Sequence, residues 1–136
     1  MARVREIWRR DGERCVWCGG APWERDRTIE HLLPRSRGGT SASYNLLPAC
    51  RACNRARRSQ SVAAYARRRA QPEDHVQVEV LLEGLTRLAE LGSTSERRYG
   101  LRQAQAVRDW QASETAVAAH AAAHAPDQPA GRFERR

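Results

Sequence analysis

Two Cys-x-x-Cys pairs, Cys15/Cys18 and Cys50/Cys53, enclose 31 residues that carry Glu30, His31 and Asn45, and Asn54 follows directly after the second pair. Paired thiols at this spacing form a zinc pattern, and a chain without an apolar leader is expected to keep its cysteines reduced. Four thiolates fill all four tetrahedral positions and leave none for water, so the expected Zn²⁺ is structural. The clamp would fix the relative positions of the enclosed acid–His pair and Asn45 and of the adjoining Asn54, so the segment reads as a catalytic one.

The surrounding chain must hold these groups in place. Val4, Ile7 and Trp8 form a short apolar stripe at helical spacing that Asp11-Gly12 ends, and Cys15-Val-Trp-Cys18-Gly-Gly reads as a zinc knuckle. A strand is expected over Arg27–Leu33, a loop from Pro34 through Tyr44, and a second short ordered stretch from Asn45. One helix is expected from Cys50 to about Ala70, ending before Pro72. Leucines 81, 82, 85, 88 and 91 recur with Val78 at spacings of three and four, which predicts an amphipathic helix from Glu73 to Leu91 stopped by Gly92. Ser93 to Glu96 is a capping segment and Arg97–Ala123 a further helix. The last residues, Ala125–Arg136, are expected to be disordered.

The 136 residues carry a formal net charge of +8 and include no Lys, so all 24 basic side chains are Arg. Up to Gln71 there are 16 Arg against 6 acidic residues, and from Pro72 onward 8 against 10, giving +10 and −2. The half that carries the cysteines is therefore the half that attracts phosphate. No run of eighteen apolar residues occurs, and Met1 leads straight into ARVREIWRRDGER, so a soluble, cytoplasmic protein with no membrane partner is expected. The domain organisation is read as a core over 1–71, a helical extension over 72–124 and a tail over 125–136.

From about Arg5 to Ser59 the chain resembles a small HNH endonuclease of the ββα-metal class, in the subtype with a structural four-cysteine zinc. The resemblance rests on the Glu30-His31 pair, on steps of fourteen residues to Asn45 and nine more to Asn54, and on the flanking Cys pairs. It implies an α+β fold with a ββα-metal core, a zinc knuckle and a helical C-terminal extension. It also implies hydrolysis of DNA phosphodiester bonds to a 5′-phosphate and a 3′-hydroxyl.

Under the same resemblance, neutral His31 is the general base that deprotonates water, because an unperturbed imidazole is mostly uncharged at pH 7. Glu30 and Asn54 are implied as oxygen ligands of a catalytic Mg²⁺ or Mn²⁺, and Asn45 as the residue that ties its loop to the backbone near His31. Asp is commonest where Glu30 stands, and the extra methylene moves the carboxylate by roughly an ångström. Mg²⁺ demands near-ideal octahedral geometry, so low activity or a preference for Mn²⁺ is expected.

Arg35, Arg37, Arg51, Arg55, Arg57 and Arg58 are the expected phosphate contacts, with a solvated helix face as the plain reading of the last four. Trp8, Trp17 and Trp23 are assigned to the core or to the flanks of the zinc. His120 and His124 stand four apart but lack a Cys or carboxylate companion. The leucine stripe from Leu81 is expected to pack back on the core. Left uncovered, it would serve a homodimer through the C-terminal helices, which double-strand cleavage would require. The alternative from another class is a zinc-stabilised DNA-binding module without turnover, which would have no cutting to lose when His31 is replaced.

Overall fold

The computed structural model describes residues 2–70 and 75–124. Pro72, Glu73 and the expected tail over 125–136 lie outside the described residues, but 75–77 are described and not helical, so the helix expected from Glu73 begins only at Val78. Helix α1 (Ala2–Arg10) buries Ile7 and Trp8, as its stripe requires, and the Trp8 indole N–H donates to the Thr28 carbonyl at 2.8 Å. Positive φ at Gly12 (92°) and Glu13 (63°) then turns the chain into the knuckle.

Strands β1 (Arg27–His31) and β2 (Leu46–Cys50) pair antiparallel, with Arg27 opposite Cys50 and His31 opposite Leu46. Strand β1 therefore stops two residues short of the expected Leu33. Two turns of 3₁₀-helix, Arg35–Arg37 and Ser43–Asn45, fold the intervening loop. In β2, Leu46 through Ala49 are all buried, because α1, α2 and α4 pack on this strand. The knuckle is fastened to the same strand by the Val16 N–H on the Pro48 carbonyl at 2.8 Å.

The single helix expected after Cys50 is two helices, α2 (Arg51–Arg57) and α3 (Val62–Arg69). Arg58 breaks it with φ 54°, and Ser61 caps the new start by accepting from the Ala64 N–H. The Ser59-Gln60-Ser61 run carries this signal, since serine competes with helical hydrogen bonding and favours caps. The break lets Tyr65 of α3 meet Trp17 edge to face at 4.8 Å between ring centroids.

Helix α4 (Val78–Leu91) buries Leu81, Leu85 and Leu88 against α5 (Thr94–Ala123), the Ser43–Asn45 turn and β2, so its leucine stripe packs back on the core. Two glycines allow this approach. A Cβ at Gly84 would lie 2.9 Å from Leu47 Cδ2, and one at Gly100 would lie 2.8 Å from the Leu85 carbonyl oxygen. One apolar cluster consequently runs from Trp8 through Leu47 and Leu85 to Trp110. Ser93 and Glu96 form a capping box at the start of α5. No helix among the described residues is long and apolar enough to cross a membrane.

Candidate active site and metal centre

The four cysteines come from two places that β-pairing brings together. Cys15 and Cys18 lie on the knuckle, Cys50 ends β2 and Cys53 lies in the first turn of α2. Their sulfurs all lie within 4.8 Å of one another. Zn–S bonds of about 2.3 Å set tetrahedral sulfurs roughly 3.8 Å apart, so the group is close to a closed structural zinc site. Gly19 takes φ 71° and the Gly20 N–H points at Cys18 Sγ at 3.4 Å, which is the turn that the glycine pair was expected to permit. The Cys53 thiol donates to Cys15 and lowers the Cys15 pKa to about 5, against the opposing effect of burial. Burial pushes the Cys18 thiol up, and the hydrogen bond to Cys15 raises that of Cys53.

His31 ends β1, and the loop that follows comes back to it. Asn45 makes this closure. Its Oδ1 accepts from the Leu33 N–H at 2.9 Å, its Nδ2 donates to the Leu33 and Thr40 carbonyls, and its own carbonyl accepts from the Leu32 N–H. Gly39 permits the return, because a Cβ there would fall 1.8 Å from the Leu33 carbonyl oxygen. Ser41 is thereby placed with its hydroxyl 3.0 Å from His31 Nε2, and Arg3 of α1 donates to the Ser41 carbonyl. With the proton on Nε2, His31 donates to Ser41 and leaves the Nδ1 lone pair free. Burial, and then the charges of Arg35, Arg57 and Arg3, hold the His31 pKa below the usual 6.5.

Asn54, in α2, donates through Nδ2 to Thr28 Oγ1 at 3.0 Å and to the Ile29 carbonyl at 3.1 Å. Its Oδ1 carries no hydrogen bond among the described residues. Asn54 and His31 thus share β1 as a platform, two residues apart at their attachment points.

Glu30 does not occupy the position expected of a Mg²⁺ ligand. Successive strand residues point to opposite faces, so Glu30 turns inward and is only 3% exposed. One carboxylate oxygen accepts from the Trp17 indole and the other from Arg57 Nη1, both at 2.9 Å. Burial raises its pKa, and Arg57 and Trp17 offset part of that rise. The Glu30 plus Asn54 donor set therefore does not fit a divalent ion as arranged here, because only Asn54 presents a free oxygen.

Arg57 also departs from expectation. It is fully buried and joins the carbonyls of His31, Leu32 and Gln60 to the Tyr99 hydroxyl, besides pairing with Glu30. An Arg in a run of exposed Arg carries no sequence signal for this, since only the third dimension shows which one enters the core. Truncating it would leave Glu30 as a buried charge without its cation, and such losses cost ~3–5 kcal/mol. Arg57→Ala is expected to lower the melting temperature by roughly 10–20 °C. A fall of only a degree or two would show that the pair does not hold the core.

Arg35, Arg37, Arg51, Arg55 and Arg58 all remain exposed, as phosphate contacts would need to be. Trp23 is 78% exposed, against its expected place in the core or on the flank of the zinc, because it sits on the turn before β1, clear of the cluster. Sequence reasoning also missed Ser41, Thr28 and Glu96. The Glu96 capping role was legible. Its bonds to the Thr40 N–H, the Thr40 hydroxyl and the Tyr44 hydroxyl, across more than fifty residues, were not.

The chain is thus an α+β fold in which a two-stranded hairpin packs on a short helix, with a four-cysteine cluster at the junction and a histidine at the strand end. Residues 15–69 match the HNH endonuclease family. The fold is also similar to the crystal structure of the Type II-C Cas9 enzyme from Actinomyces naeslundii, with 20% identity and a TM-score of 0.51. That likeness covers 78% of this chain and only 12% of that one, and at this identity it is a likeness of fold. No curated protein matches the sequence.

Proposed function

We propose that the protein is a metal-dependent endonuclease that hydrolyses DNA phosphodiester bonds, with His31 as general base. The observation that carries this reading is the state of His31. Its pKa is held down, which favours the neutral imidazole, and with the proton on Nε2 toward Ser41 the Nδ1 lone pair is available to take a proton from water. Exposed Arg35, Arg37, Arg51, Arg55 and Arg58 would hold the phosphates on either side. Asn45 would act by holding the loop, with no bond made or broken at its own atoms. The products would be a 5′-phosphate and a 3′-hydroxyl.

A divalent ion, Mg²⁺ or Mn²⁺, is proposed from the family match, and Asn54 Oδ1 is the free oxygen that could meet it. The engagement of Glu30 by Arg57 and Trp17 favours a second reading, a zinc-stabilised DNA-binding module without turnover. One centre cuts one strand, and Leu81, Leu85 and Leu88 of the stripe that could have joined two copies are buried against α5 and β2. Nicking is accordingly the expected activity.

The test is conversion of supercoiled plasmid by the zinc-loaded protein with Mg²⁺ or Mn²⁺, with EDTA as control. Nicked circles that EDTA prevents are expected. A base with a lowered pKa is in its working form above that value, so activity should fall only as the pH drops below 6.5. Conversion absent under both metals, with DNA retention intact in a gel shift, would decide for the binding module. An acid limb centred above pH 6.5 would remove His31 from the role of base.

A further inference from the structure

The sequence assigns a net negative charge to the C-terminal half, yet α5 carries two arginines into a groove beside the catalytic loop. This groove of about 220 Å³ is lined by Leu33, Arg37, Ser95, Arg98, Tyr99 and Arg102. Arg98 and Arg102 stand one helical turn apart on the same face of α5. Arg37 reaches the groove from the 3₁₀ turn on the opposite wall. None of the three guanidiniums pairs with a carboxylate or makes a hydrogen bond among the described residues, and all three residues are exposed. The acidic side chain of this turn, Glu96, is buried and faces away, committed to Ser93, Thr40 and Tyr44.

The walls are fixed relative to each other and to His31. Glu96 bonds the first turn of α5 to Thr40, next to Ser41. The Tyr99 hydroxyl accepts from Arg57, which donates in turn to the His31 and Leu32 carbonyls. Leu33, on the floor, is two residues from His31. Three unpaired guanidiniums on rigid walls make a site for phosphate oxygens, which Arg binds through its planar fork. Residues one turn apart sit about 6 Å from each other, which covers roughly two nucleotides of a strand rising ~3.4 Å each.

We infer that Arg98 and Arg102 of α5, with Arg37, form a phosphate-binding groove that carries the DNA backbone away from His31. The helical extension is thus part of the substrate surface. This rests on the nucleic-acid reading given above and extends it to residues outside the segment that matches the family.

The test compares Arg98→Ala/Arg102→Ala with a charge-matched control, Arg97→Ala/Arg108→Ala, whose residues share another face of α5 about 100° away. Both pairs are exposed, and unchanged melting temperatures verify folding. Binding of a fluorescent DNA duplex to zinc-loaded full-length protein is followed by anisotropy across KCl concentrations, without Mg²⁺. Each phosphate contact contributes about 0.9 to the slope of log K against log salt. The groove variant should lose about 1.8 of that slope and bind on the order of tenfold more weakly at 0.15 M salt, while the control stays within about threefold of wild type.

Equal effects in the two variants, or none in the groove variant, would overturn the groove and leave the nuclease reading standing. Absence of salt-dependent DNA binding by the wild type would overturn both. Calorimetric titration with inorganic phosphate at matched ionic strength separates the other source of this chemistry. A phosphate heat that the groove variant abolishes, with its DNA slope unchanged, would assign the groove to a free anion and sink the inference.

Discussion

His31→Ala is expected to abolish metal-dependent nicking of supercoiled plasmid, with a rate loss of about 10²- to 10⁴-fold, while DNA retention in a gel shift stays at the wild-type level. The effect is large because the described geometry offers no second base. Glu30, the adjacent ionisable side chain, is buried on the other face of β1 with both carboxylate oxygens engaged. Ser41→Ala supplies the graded companion. It leaves the imidazole present but removes the hydroxyl at Nε2, so a partial loss with a displaced acid limb is expected. Nicking by His31→Ala within threefold of wild type would place the base elsewhere.

Removing zinc should unfold the core at room temperature. The cysteines join the knuckle to the start of α2, and β2 lies between them, with Leu47 supporting Gly84 of α4. Apparent zinc-binding free energies in small zinc modules are about 10–16 kcal/mol at pH 7, as large as the whole stability of an ordinary domain. Cys18→Ser and Cys50→Ser, or chelation of the wild type, should therefore abolish the cooperative thermal transition and expose the Trp8 and Trp17 fluorescence to water. The native protein should contain one equivalent of zinc. An unchanged melting temperature after stoichiometric zinc release would overturn the structural assignment.

Much of this was legible because it depends on local chemistry and spacing. Cys-x-x-Cys pairs specify a metal clamp wherever the chain takes them, the Val4, Ile7 and Trp8 stripe specifies a helix face, and Ser93 with Glu96 specifies a helix start. The helix break at Arg58 was missed because arginine is a good helix former, and the Ser59-Gln60-Ser61 signal was overridden by the surrounding Ala and Arg. Trp23 was misplaced because a tryptophan is usually buried, and nothing local reveals that a turn carries it outward.

The sequence by itself determined the four cysteines that could hold a metal, the α+β order of elements and the His31, Asn45 and Asn54 spacing, since these follow from residue type and separation along the chain. Only the tertiary structure decided what each charged group faces. It turned Glu30 inward to Arg57 and Trp17, selected Arg57 alone from its basic run for burial, set Ser41 on His31 and brought Arg98 and Arg102 beside the loop that follows His31. The reason is physical. A charge acquires its role from the dielectric and the partners around it, and those are contributed by residues as distant as Thr40 is from Glu96 along the chain.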